Sequence, residues 1–144
     1  MSERSEARLY LLQIRMLEEM IGQKQMQLAE LEEMATSGGA IRYDKDKVVT
    51  QLRTDTLENR VIQYVDLTAE IQQNIRDYVS LKNSIINEIH QLEDVRYITI
   101  LHDYYVDDRD MMEIALKLGY SYYHTVRLNR EALEEFWRKH NAKR

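Results

Sequence analysis

The chain has 144 residues and neither proline nor cysteine, which suits one domain, or a small domain with a helical arm, and excludes disulfides and thiolate metal sites. No run approaches the roughly 18 apolar residues of a membrane span, and the start MSERSEARL lacks a signal peptide's apolar core, so a soluble protein of a reducing cytoplasm is expected. The formal net charge of -5 is unevenly spread: from Gly119 to Arg144 six Lys/Arg stand against three Asp/Glu, leaving +3 on that end and -8 on the rest, and a basic end can still hold phosphates because screening confines the body's field to about 8 Å.

The first predicted element is a helix over about Ser5 to Ala35. Ala7, Ile14, Ile21, Leu28 and Ala35 share one position of a seven-residue frame. Tyr10, Leu17, Lys24 and Leu31 share the other, Lys24 being the single break. Such a stripe packs helix on helix in a coiled-coil-like seam. Met16, Met20, Met26 and Met34 widen the apolar face and are expected in the core. Thr36-Ser37-Gly38-Gly39 should stop this helix, since paired glycines lose helix propensity and supply positive φ. A flexible connection to about Thr54 follows, with a short helical turn near Val48. No G-x-x-x-x-G-K-[ST] pattern follows the glycines, so a phosphate loop is not expected there.

A second long helix is expected from about Asp55 to Leu92, a rod of about 55 Å. Leu57, Tyr64, Ile71, Tyr78, Ile85 and Leu92 share one seam position, and Val61, Thr68, Ile75, Lys82 and Ile89 the other. Val65, Val79 and Ile86 flank them. A lone helix cannot bury such a stripe. Folding back on the first helix as an antiparallel hairpin, or dimerising, would bury it, and the sequence does not choose between the two.

After Glu93 the pattern changes. Val95, Ile98, Ile100, Leu101, Tyr104 and Tyr105 suggest a short, largely buried helix, and Val106 to Arg109 an acidic turn. Asp110 with Glu113 three residues on is a start signal before an apolar run. Met111, Ile114, Ala115 and Leu118 should be that helix's buried face, with Gly119 its stop. Ser121 then caps another helix through its hydroxyl. Thr125, Leu128, Ala132 and Leu133 should face the core, while Tyr122, Tyr123, Val126, Arg127 and Arg130 face outward. The expected fold is therefore all-α: residues 1–92 a long helical hairpin with a loop at about 36–54, and residues 93–144 a helix-turn-helix domain.

The pattern E-I-A-x-x-L-G-Y-S…R-L…A-L-x-x-F, running from Glu113 to Phe136, resembles region 4 of sigma factors. The whole chain resembles small phage transcriptional regulators of the RinA/ArpU type. That resemblance rests on A-T-S at Ala35 to Ser37, V-D-L-T-A-E-I at Val65 to Ile71, L-K-N-S-I-I-N-E-I at Leu81 to Ile89, and R-Y-I-x-x-L at Arg96 to Leu101. It implies a DNA-binding regulator, an activator of late phage genes in the bacterial cytoplasm, with a recognition helix over about 122–137. By position, Tyr122 and Tyr123 fall where such modules place their first base-contacting residues, with Val126 and Arg127 one turn on. These slots often hold Arg, Glu or Gln in the family, and here they are largely aromatic or aliphatic. Arg127 is the best candidate for a guanine contact, His124 a further contact, and Arg130, Arg138 and Lys139 suit phosphates. Phe136 and Trp137 are expected in the core or an interface.

Double-stranded DNA is thus the first expected partner. Host RNA polymerase or another regulator, docked on the acidic arm, is the alternative, and a homo-oligomer is compatible with both. No catalytic residue, cofactor or metal is expected: the four histidines, His90, His102, His124 and His140, fall in four separate segments, and no Ser-His-Asp order or glycine-rich phosphate cradle occurs. The acidic group Asp103, Asp107, Asp108 and Asp110 lacks the register of a calcium loop and is expected at helix ends and solvated turns.

Overall fold

The computed structural model describes residues 2–37 and 47–143. Among them the chain is all-α, with helices α1 (Glu3–Ser37), α2 (Lys47–Ile89), α3 (Val95–Leu101), α4 (Met111–Leu118) and α5 (Tyr122–Ala142), and a π-helical turn at His102–Val106. None is long and apolar enough to cross a membrane. The Gly38-Gly39 stop lies outside the described residues, as does the burial of Ala35. The expected connection up to Thr54 is corrected, because α2 already begins at Lys47. The segment from Lys47 to Asp55 holds no glycine or proline, so nothing in it opposes propagation of the helix toward its N-terminus. At the other end α2 stops at Ile89, three residues before Leu92, and the chain turns through Leu92 N–H to the Ile89 carbonyl at 3.1 Å.

Two compact units form. One comprises the chain up to Leu17 together with everything from Tyr78 onward, and the other comprises Glu18–Asp77. This division differs from the expected boundary near residue 92. The physical reason is shared burial: Ala7, Leu11 and Ile14 of α1 and Ile85 and Ile89 of α2 enter one core with Leu101, Tyr105, Ala132, Leu133 and Phe136. The first and last stretches of the two long helices are therefore walls of the C-terminal domain. Tyr10 hydrogen-bonds Glu88, which also meets His140, and Trp137 Nε1 donates to Glu6 at 2.9 Å. A second cluster, Ile100, Met111, Ile114 and Leu128, locks α3, α4 and α5 together.

Within the Glu18–Asp77 unit, Lys24 Nζ reaches the Glu70 carboxylate at 2.7 Å and Arg60 reaches the Met34 carbonyl at 3.4 Å. Later residues of α1 thus face earlier residues of α2, and the two helices run in opposite directions. Burial here is thin. Ile21, Leu67 and Ile71 are the buried apolar residues described, whereas the expected seam residues Leu57, Val61, Tyr64 and Ile75 are exposed, as are the flanking Val65 and, beyond the unit, Val79. Met16, Met26 and Met34, expected in the core, are exposed as well. Two helices cover only the sides that face each other. A straight helix also drifts about 20° per heptad from a strict seven-residue frame, so a fixed stripe leaves the contact line.

Candidate nucleic-acid interface

The site is built from α4, a three-residue turn and α5. Asp110 is the N-cap of α4, its carboxylate accepting from Met112 N–H at 3.4 Å. Ile114 and Ala115 are buried, and the small alanine side chain permits close approach of α5. Gly119 ends the helix at φ 74°, in the left-handed region, where a side chain is disfavoured. The Tyr120 N–H then returns to the Ala115 carbonyl at 3.0 Å, closing the turn. Ser121 caps α5, its hydroxyl accepting from His124 N–H at 3.1 Å. The buried Thr125 hydroxyl donates to the Ser121 carbonyl at 2.9 Å, so its burial leaves no unpaired donor. Leu128, Ala132, Leu133 and Phe136 continue the buried face.

The helix α3 begins at a cap of its own. Asp94 caps that helix through Arg96 N–H at 2.9 Å and holds the Arg96 guanidinium at 2.9 Å. Its carboxyl lies below the ordinary value of 3.8 chiefly through the Arg96 side chain. Asp94 first, and then the Tyr120 phenol, raise the pKa of Arg96.

The residues expected to contact DNA separate into two groups. Tyr123 is 84% exposed, and Arg127 stands open one turn on, its guanidinium at 3.1 Å from the half-buried His124 ring. Arg138 is exposed too, its guanidinium donating to the Glu134 carbonyl of its own helix at 3.3 Å. Tyr122, Val126 and Arg130, at successive fourth positions of α5, instead line a cleft of about 460 Å³ shared with the first turns of α1. Lys139 has a structural partner: its ammonium donates to the Gln91 carbonyl at 3.1 Å, beyond the end of α2. Phe136 is buried, and Trp137 stacks on His140 with centroids 4.9 Å apart, consistent with core and packing roles.

Sequence reasoning missed Arg4 and Arg8, which reach this cleft from the far end of the chain. Two unremarkable arginines in the first helix carried no signal, because only the shared core brings α1 beside α5. It also missed the π turn, whose Asp107 N–H to His102 carbonyl bond measures 3.0 Å. This turn overturns one expectation. Asp103 is not solvated but buried, and Lys117 of α4 neutralises it at 2.8 Å. His102, Asp103 and Asp107 bring potential ligand atoms within 4.8 Å of one another. One Asp103 oxygen already holds the Lys117 ammonium, so a cation there would compete with a charge the fold itself supplies.

No protein-family model, curated protein or solved structure matches the chain.

Proposed function

We propose that this protein is a DNA-binding transcriptional regulator that places the start of α5 in a major groove. In keeping with its resemblance to RinA/ArpU-type regulators, its targets would be late phage genes. One observation carries the reading: two capped helices joined through a left-handed Gly119 leave Tyr123 and Arg127 outside the core at the first turns of α5. A helix entering a groove reads base edges with its first turns and holds phosphates with its flanks. Arg127 offers a guanidinium fork for a guanine edge, and Tyr123 a ring for a thymine methyl and a hydroxyl for a phosphate. Arg138 suits the backbone.

The test is fluorescence anisotropy with duplexes tiled across the DNA flanking the protein's own gene. Binding should weaken linearly on a log–log salt plot. Arg127→Ala should lower affinity for the preferred duplex by about tenfold, near the lower end of what one bidentate base contact contributes, and reduce discrimination. Unchanged affinity and discrimination would place any DNA contact on another face.

A second reading, a protein-docking module, is favoured by the exposed Leu57, Val61 and Val65 on the acidic Glu18–Asp77 unit. Co-purification with host RNA polymerase in nuclease-treated lysate, lost with Val61→Ser and Val65→Ser together, would support it. The two roles are compatible in one chain.

A further inference from the structure

We propose that the cleft between the first turns of α1, the π turn and α5 binds the phosphate group of a nucleotide. Arg4 and Arg8 from α1 and Arg130 from α5 line it, and no carboxylate residue is among those lining it. Arg4 is paired with Glu134 at 3.4 Å. Arg8 and Arg130 make no hydrogen bond or ion pair with any described residue. Arg8 and Arg130 therefore leave two uncompensated like charges on one concavity, which an entering anion neutralises. Guanidinium groups match phosphate oxygens in two-bond forks, which a lone lysine cannot do.

The remaining wall suits the rest of a nucleotide. The exposed Tyr122 supplies a ring of the kind on which bases stack, while the Tyr104 ring, also in the wall, already carries the Arg15 guanidinium at 4.9 Å from its centroid. Asn129 also lines the cleft, and its side-chain oxygen is buried without a partner among the described residues. That acceptor calls for a donor, which a sugar hydroxyl or base amino group supplies. A volume of about 460 Å³ falls in the range of small-molecule sites. The phosphate can come from a free nucleotide or from bound DNA. The DNA source rests on the DNA-binding reading above, and the free-nucleotide source does not.

The experiment follows the arginine Nε–H signals by NMR in phosphate-free buffer. Deoxyadenosine monophosphate should shift the Arg8 and Arg130 signals saturably, and deoxyadenosine alone should not. Arg8→Gln and Arg130→Gln should each weaken binding about tenfold or more, the loss of one charge-assisted fork. Both side chains are exposed, so an unchanged thermal melt is expected and is checked by circular dichroism. No saturable shift with the monophosphate, an equal response to the nucleoside, or binding that survives both substitutions overturns the site. In a second arm, the preferred duplex is titrated. If it moves the same signals and Arg8→Gln reduces the salt slope by about one, the phosphate is that of DNA. If the monophosphate binds and duplex binding is indifferent to Arg8→Gln, the ligand is a free nucleotide. If the monophosphate binds and no duplex does, the site stands and the DNA-binding reading falls.

Discussion

Asp103 is the residue whose sequence context says least about its role. It sits in a run of acids, yet its side chain is buried in the π turn and neutralised by Lys117. Removing the cation while keeping the stem, as in Lys117→Met, leaves a desolvated carboxylate. Because Lys117 is itself half exposed, the expected cost is about 1–3 kcal/mol, less than for a fully buried pair, measured by urea unfolding followed through the single tryptophan, Trp137. A neutral melt for this variant would mean that the carboxylate finds another donor. Asp94 gives a pH prediction. Its folded pKa is depressed below 3.8, mainly by Arg96. The stabilisation is therefore complete above its unfolded value and is lost as pH falls through the folded one. The stability difference between the wild type and Asp94→Asn should be constant from pH 7 to about 5 and shrink below about pH 4. A difference that grew on acidification would reverse this assignment.

At the scale of elements, the α4–turn–α5 unit depends on two local devices that can be separated. An added Cβ at Gly119 meets nothing within 4 Å, so its φ of 74° alone resists substitution. Gly119→Ala should cost about 1–2 kcal/mol and Gly119→Asn distinctly less, since asparagine tolerates the left-handed region. Equal costs would point to packing rather than to φ. Ser121→Ala removes the cap of α5 and should cost about 1 kcal/mol. This turn was legible in the sequence because Asp110, Gly119 and Ser121 each satisfy a backbone requirement within four residues of their own position. The π turn was not legible, because in it the chain beyond α3 both buries Tyr105 and Val106 and brings Asp103 to Lys117. No residue type signals that compromise.

For the molecule as a whole, burial is unequal. The unit containing α3 to α5 buries residues from every helix, while described burial in the Glu18–Asp77 unit rests on Ile21, Leu67 and Ile71. Amide exchange tracks local opening free energy. Residues 18–34 and 56–77 should therefore exchange well before residues 85–89, 97–105 and 125–136 in hydrogen–deuterium mass spectrometry on dilute protein. Equal protection in dilute protein would show that the apolar residues left open on Leu57, Val61 and Val65 are covered in solution. Sedimentation of the same sample would then distinguish a second copy from a monomer.

The sequence by itself determined the helical class, the caps at Asp110 and Ser121, the left-handed stop at Gly119 and the buried face of α5. These are properties of periodicity and of backbone groups satisfied by near neighbours. Only the tertiary structure decided that α1 and the end of α2 belong to the C-terminal core, that Asp103 is buried, and that Arg4 and Arg8 stand beside Arg130. Each of those depends on residues between 14 and more than 100 positions apart, and a local pattern carries no record of which distant side chain will occupy the facing surface.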